Sequence, residues 1–365
     1  MPPRTVHLVA AARPNFMKVA PLYHELKRRP WCRPLIIHSG QHYDYNMSQA
    51  FLRDLGLPEP HVHLGVGSGS HGAQTARCLA AYEEVLLHQR PDWVVVVGDV
   101  NSTMACALAA VKLLAPVAHL EAGLRSFDRA MPEEINRLVT DVLCDLLWTP
   151  SDDADQNLLR EGISLEKIEL VGNIMMDSLE MLRPAIERES PWRALGLSPG
   201  GYGVVTLHRP ANVDDPAVLR EIMAALAAVA GRMPLVFPVH PRTRASLERF
   251  GLLDLAASPG LKLVEPLGYM QFMGLVLGAR LAITDSGGIQ EETTYLHIPC
   301  LTLRPNTERP VTVRLGSNRL IAPAGLAASL EEVLAGNWPQ GTVPPLWDGH
   351  TAVRVADSLQ RRLQG

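Results

Sequence analysis

The feature that most constrains this chain is a rhythm that runs twice. Short runs of Val, Ile and Leu alternate with helix-length amphipathic stretches: Val6 to Ala12, Leu35 to Ser39, Trp93 to Gly98, Val117 to Leu120 and Ile168 to Gly172. Such runs have no polar face, so they need cover on both sides, which is the condition of a parallel sheet flanked by helices. The rhythm pauses over 183–203, where Ser190-Pro191-Trp192 and Ser198-Pro199-Gly200-Gly201 concentrate turn residues. It restarts with Val204 to Leu207, Leu235 to Val239, Leu261 to Val264, Leu281 to Thr284 and Cys300 to Leu303.

This pattern predicts an α/β protein made of two Rossmann-like, doubly wound parallel-sheet domains, 1–172 and 173–349. The length of 365 residues agrees, since a domain takes about 150. A last helical pattern, 350–365, follows the Pro/Gly-rich Asn337 to Gly349 and is expected to pack back on the first domain. Open parallel sheets bind ligands beyond the carboxyl ends of their strands. The expected site is therefore a cleft between two such edges.

Composition removes several classes of function. With 34 Lys+Arg against 38 Asp+Glu the formal net charge is −4, and no cationic run alternates with aromatics, which argues against nucleic acid as a partner. The longest apolar stretches, such as Trp93 to Val97, fall far short of the ~20 residues that cross a bilayer, so no membrane is expected. Val6 to Ala12 is short and interrupted by Arg13-Pro14, which reads as a first strand and not as a secretion signal. The five cysteines are odd in number and form no C-x-x-C pair, the usage of a reducing cytoplasm without structural zinc.

Two motifs are decoys. Gly67-Ser68-Gly69-Ser70-His71-Gly72 satisfies G-x-G-x-x-G, yet His61 to Val66 is a poor strand and this is not the first strand-to-helix turn. A plain glycine loop is the better reading, and no NAD is expected. His61-x-His63 alternates like a ligand pair, but no cysteine or carboxylate beside it completes a tetrahedral set; no metal is expected.

Stronger signals stand at strand ends. The first strand-to-helix turn carries Arg13 and Lys18, two cations beside a helix N-terminus, which suits either a phosphate or a solvated turn. Asp285-Ser286-Gly287-Gly288-Ile289-Gln290-Glu291-Glu292 follows a strand and opens a helix. An ordinary N-cap would account for Asp285 or Ser286, while the double glycine favours a nucleotide, with Glu291 or Glu292 accepting ribose hydroxyls. Asp99 and Glu121 each end a strand in the first half. Close behind come Arg125 and Pro132-Glu133-Glu134-Ile135-Asn136-Arg137, which is also an ordinary helix start. His208-Arg209 and His240 close strands in the second half.

Taken together these motifs resemble the non-hydrolysing UDP-N-acetylglucosamine 2-epimerases, whose fold is the GT-B fold of nucleotide-sugar glycosyltransferases. The resemblance runs over nearly the whole chain. It rests on Arg13-Pro14 with Lys18, Gly98-Asp99, Glu121-Ala122-Gly123-Leu124-Arg125, Pro132 to Arg137, Gly172-Asn173, His208-Arg209, Asp285 to Glu292 and Thr307-Glu308-Arg309-Pro310. It implies catalytic roles for Asp99, Glu121, Glu133 and His208. It implies substrate binding by Arg13, Lys18, Arg125, Arg137, Ser286, Gly287, Gly288, Glu292 and Arg309, and an activator site at Gln41 and Arg77. Homodimerisation is likewise implied. Two positions depart from the family pattern: Asn15 stands where an acid is usual, and Pro210 where a second arginine is usual.

The resemblance also implies a mechanism. Carbon 2 of the sugar is not adjacent to a ketone, so its proton leaves only if something else accepts the electrons. Expulsion of UDP does so, giving 2-acetamidoglucal, and readdition from the other face inverts C2; this needs acid and base groups and cations for departing UDP. Other readings are a C2 epimerase of a uronic or diacetamido UDP-sugar, a hydrolysing epimerase, a GT-B glycosyltransferase, and a non-catalytic UDP-sugar sensor.

Overall fold

The five residues Trp93–Val97 are all buried, so the strand they form must lie inside a covered sheet. In the computed structural model, which describes residues 2–40 and 51–364, the chain divides into two units. One is Met1–Met181 with Pro345–Gly365, the other Leu182–Pro344. The division falls at Met181–Leu182 where 172/173 was expected. Helix Ile174–Glu189 begins just after residue 173 and continues across this division.

The first unit holds a seven-stranded sheet in the order β3-β2-β1-β4-β5-β6-β7. Its strands are β1 (Arg4–Ala10), β2 (Cys32–His38), β3 (Val62–His63), β4 (Trp93–Val97), β5 (Val117–Leu120), β6 (Leu146–Thr149) and β7 (Ile168–Leu170), all paired in parallel. The order reverses between β1 and β4, a topological switch point where a crevice opens beyond the strand ends. Helices His71–His88, Asn101–Lys112 and Pro132–Leu143 pack side by side. Helix Arg13–Arg28 packs on the C-terminal helix Thr351–Gln364.

That last helix is fastened to the first unit by several bonds. Trp148 Nε1 donates to Ser358 Oγ (3.0 Å), Trp347 Nε1 to the Pro150 carbonyl (2.8 Å), and the Asp177 carboxylate accepts the amides of Thr351 (3.1 Å) and Ala352 (2.7 Å).

The second unit repeats the plan with six parallel strands, order β10-β9-β8-β11-β12-β13. They are β8 (Gly203–Thr206), β9 (Leu235–Pro238), β10 (Leu261–Val264), β11 (Leu281–Thr284), β12 (Cys300–Thr302) and β13 (Asn318–Leu320). Phe237, Leu281 and Leu301 from the sheet pack with Leu219, Ile222 and Leu226 of helix Pro216–Ala230 in its core. Its switch point lies between β8 and β11.

The glycine loop is a helix entrance: Ser70 caps helix His71–His88 through the amide of Ala73 (3.4 Å), and β3 before it is a two-residue edge strand. His61 Nδ1 accepts the Ile36 amide (3.0 Å), and the His63 ring stands edge-on to His38. All five cysteines are buried and free. Among the described residues no helix is long and apolar enough to cross a membrane.

Candidate active site

At the first unit's switch point, helix Arg13–Arg28 starts directly after β1. Asn15 ties its first turn to the sheet: its Oδ1 accepts the Ala12 amide (3.1 Å) and its Nδ2 donates to the Val97 carbonyl (3.0 Å). Lys18, one turn further and largely buried, reaches Glu121 Oε2 as an ion pair. Glu121 follows β5 with φ +73°, left-handed backbone that a non-glycine residue adopts only under constraint. The constraint is visible: the amides of Glu121 and Ala122 both donate to the Trp148 carbonyl (3.1 Å each). Glu121 Oε1 is buried and has no hydrogen-bond partner among the described residues. An orphaned buried carboxylate oxygen is costly unless a ligand meets it.

Asp99 follows β4 and is half-buried. Arg137 grips its Oδ2 through Nη2 (2.7 Å) and Nε (3.1 Å), and Asn136 Nδ2 donates to its carbonyl (2.9 Å). Both partners come from helix Pro132–Leu143, whose first turn carries Glu133. Glu133 is half-buried and has no hydrogen-bond or ion-pair partner among the described residues.

Its neighbour Glu134 has the opposite surroundings. It accepts the amides of Ser126 and Phe127 (2.9 Å each), Ser126 Oγ (3.0 Å) and Arg137 Nη1 (2.6 Å). Burial pushes its carboxyl upward, but these donors and the guanidinium outweigh it and leave the group below its ordinary value. Glu134 is a fixed anion that holds Arg137.

Arg125, expected to bind substrate, is held by two carboxylates. Its side chain is almost wholly buried and is engaged by Glu161 (Nε 2.8 Å, Nη2 2.7 Å) and Asp141 (Nη1 2.7 Å). The guanidinium also donates to the Leu124 carbonyl (2.8 Å), so its own chain engages it on every side, as a scaffold cation is engaged. Arg77 is exposed, with Nη2 on the Ser68 carbonyl (2.8 Å). Gln41 lies outside the described residues, as does the side chain of Arg13.

In the second unit, the corresponding crevice is built on Asp285, buried at the end of β11. Its carboxylate pairs with His208 Nδ1 (2.9 Å) and accepts the amides of His208 (3.0 Å) and Arg209 (2.9 Å) and Asn212 Nδ2 (3.1 Å). Burial alone would raise its carboxyl; His208 and these donors lower it overall. The Asp285 carboxylate therefore orients the His208 ring. Pro210 opens the short helix Pro210–Val213 here.

Helix Gly287–Tyr295 starts directly after Ser286, whose amide donates to Thr284 Oγ1 (2.9 Å). A Cβ on Gly287 would lie 2.6 Å from both Arg309 Nη1 and Glu308 Oε1, whereas one on Gly288 would meet nothing within 4 Å. Gly287 thus lets the arginine approach, and Gly288 leaves the helix N-terminus open to an anion. Arg309 pairs with Glu291 (2.9 Å) and Glu308 (2.6 Å), and Glu308 also binds Arg304 (2.8 Å). Despite its burial, Arg309 and Arg304 hold Glu308 far below the usual carboxylate range.

Glu292 accepts the Tyr269 hydroxyl (2.7 Å). Burial, aided by Glu291, pushes its carboxyl up to about 7, against the pull of Tyr269 and Arg309. Sequence reasoning missed Asn212 and Arg304; it named Asp285 only as an N-cap or part of a nucleotide-binding turn, and Glu308 only within Thr307-Glu308-Arg309-Pro310.

Comparison with known proteins bears on this arrangement. A family model described as UDP-N-acetylglucosamine 2-epimerase matches residues 24–360. The UDP-N-acetylglucosamine 2-epimerase of Methanococcus maripaludis is 41% identical over 340 residues, 91% of this chain and 92% of the relative. The UDP-2,3-diacetamido-2,3-dideoxy-D-glucuronate 2-epimerase of Pseudomonas aeruginosa is 41% identical over 320 residues, 87% of this chain and 88% of the relative. The crystal structure of the Methanocaldococcus jannaschii UDP-GlcNAc 2-epimerase in complex with UDP-GlcNAc and UDP superposes with a TM-score of 0.88 at 40% identity, covering 98% of this chain and 99% of that one.

Proposed function

The chain belongs to the UDP-N-acetylglucosamine 2-epimerase family, an isomerase family, and from that premise we propose how its residues divide the work on UDP-GlcNAc. The first unit's carboxylates, Asp99, Glu121 and Glu133, exchange the proton at C2, while Lys18, Arg13, His208 and the Ser286-Gly287-Gly288 turn hold the UDP that departs and returns. The reaction breaks C2–H and the C1–O bond to UDP; the C–H electron pair becomes the C1=C2 bond of 2-acetamidoglucal, and UDP leaves with the C1–O pair. On return a UDP oxygen attacks C1 and a proton is added to C2 from the opposite face, giving UDP-ManNAc. The cycle is redox-neutral and its leaving group is its own cosubstrate, so we propose that it needs neither NAD nor a metal.

The observation that carries this reading is Glu121: a carboxylate held in left-handed backbone, one oxygen on Lys18 and the other buried and unsatisfied. That is the environment of a group waiting for a proton-bearing ligand. Glu292, beside Tyr269, is the proposed acceptor of ribose hydroxyls. We further propose a cytoplasmic homodimer; light scattering at micromolar concentration would return twice the 39.9 kDa chain mass.

Incubation with UDP-GlcNAc in heavy water tests the reading directly. Deuterium should enter C2 and UDP-ManNAc should accumulate without added NAD or metal. Running the same NMR assay with a diacetamido uronate UDP-sugar separates the two substrate classes found among equally similar relatives. Turnover of neither sugar sinks the assignment, and release of free ManNAc with UDP would make the enzyme hydrolysing.

A further inference from the structure

Beneath the Asp99 and Glu121 turns lies a buried charged network in which no role has yet been placed. His119, on β5 two residues before Glu121, is wholly inaccessible. Its Nδ1 meets Asp141 Oδ1 at 2.6 Å and its Nε2 meets the Gly98 carbonyl at 2.8 Å. Asp141, also wholly buried, uses its other oxygen to accept the Gly123 amide (3.1 Å) and the Arg125 guanidinium (2.7 Å).

Both nitrogens of the imidazole thus face acceptors. A neutral ring donates from only one nitrogen, so the pair His119–Asp141 holds two protons between them. Burial pushes the Asp141 carboxyl upward, but its contacts with His119 and the Arg125 guanidinium outweigh it and leave the group below its ordinary value.

The contacts fall at the two places that aim the carboxylates. Gly98 immediately precedes Asp99 and has φ +67°; Gly123 lies two residues after Glu121 and has φ +79°. Glycine enters this backbone freely and leaves it as freely, so hydrogen bonds from neighbours decide where such a turn points. His119 fixes the first through its carbonyl, and Asp141 fixes the second through its amide. Glu133, Arg137 and Asp141 recur every four residues along helix Pro132–Leu143, hence on one face. Arg137 on that face grips the Asp99 carboxylate, as described above.

We infer that His119 and Asp141 are positioning residues that set Asp99 and Glu121 in register with Glu133 through one face of a single helix. This rests on the carboxylate chemistry proposed above. Neither residue has an accessible surface with which to touch substrate. Misplacement of reacting groups by about 1 Å costs on the order of 100-fold in rate, so the expected signature is a loss in kcat with binding spared.

The test compares wild type with Asp141→Asn and His119→Gln, by C2 exchange in heavy water and by thermal melting. Asn keeps the shape of Asp141 but not its charge; Gln retains a donor toward the Gly98 carbonyl and abandons Asp141. Each variant should lose roughly 30- to 100-fold in kcat while KM for UDP-GlcNAc and the Kd for UDP stay within about threefold. If wild type shows no exchange, the functional reading fails before the variants are measured. If wild type exchanges, folded variants with kcat within threefold of it, or with KM raised at unchanged kcat, overturn the positioning role. Loss of folding in both variants would overturn it too, in favour of a purely structural network.

Discussion

Replacing Gly98 with alanine adds one carbon at the point where β4 hands the chain to Asp99. Its φ of +67° is left-handed, and a Cβ there costs about 1–2 kcal/mol. The new carbon would stand 3.4 Å from Asn15 Nδ2 and 3.5 Å from Glu121 Oε2, which are ordinary contacts, but 3.1 Å from Lys18 Nζ. The ammonium must retreat by a few tenths of an ångström, keeping its pair with Glu121 but shifting both. The alternative is for the backbone to leave the left-handed region, which swings the Gly98 carbonyl off His119 and redirects Asp99. Either way the first unit should lose about 1–3 kcal/mol, and kcat for C2 exchange should fall about 10- to 100-fold. Urea denaturation followed by circular dichroism reads the first quantity, and deuterium uptake at saturating UDP-GlcNAc reads the second. A Gly98→Ala enzyme with wild-type kcat and an unmoved urea midpoint would refute the claim that this turn needs glycine and lies at the reacting centre.

Three further outcomes follow from the other contacts. Gly288→Ala has open space for its methyl group, so it should leave melting unchanged or slightly improved while weakening UDP binding at least tenfold by calorimetry; equal affinity would remove the helix N-terminus from the phosphate site. Arg125→Met removes the guanidinium shared by Asp141 and Glu161, which costs about 3–5 kcal/mol for a broken buried pair, with KM for the UDP-sugar within twofold; a stable variant with a raised KM would return Arg125 to the substrate. Glu292 has its folded value raised from 4.5 to about 7, so between those limits the folded chain keeps a proton the unfolded chain has released, and stability falls as pH rises through that window, by up to about 3 kcal/mol. Glu292→Gln should flatten that dependence in melting curves taken between pH 5 and 8, and an unchanged slope would show that burial does not govern this carboxyl.

The double sheet was legible because apolar runs with no polar face admit few arrangements. Strands that abut helices were not: Leu146–Thr149 follows helix Pro132–Leu143 after two residues, and its four positions merge into the helical period. The same short-range limit separates Glu133 from Glu134. Adjacent and identical in sequence, they differ because one turns toward Ser126, Phe127 and Arg137, a distinction set by loop geometry beyond any local pattern. Arg125 sits in the motif that carries the family resemblance, yet its partners Asp141 and Glu161 are 16 and 36 residues away in sequence. His119 read as one more residue of a buried strand, since nothing nearby in sequence announces an acceptor for each of its nitrogens.

The first unit is written in two pieces, with the whole of the second unit between them. Its helix Arg13–Arg28 waits for Thr351–Gln364, and Trp148 for Ser358. On a ribosome, therefore, the unit that begins first is finished last. The sheet of β8 to β13 has all its strands while the earlier sheet still exposes the apolar surface meant for its final helix. The second unit can pair all its strands from its own segment, whereas the carboxylate-bearing unit packs its first helix only once Thr351–Gln364 has been made.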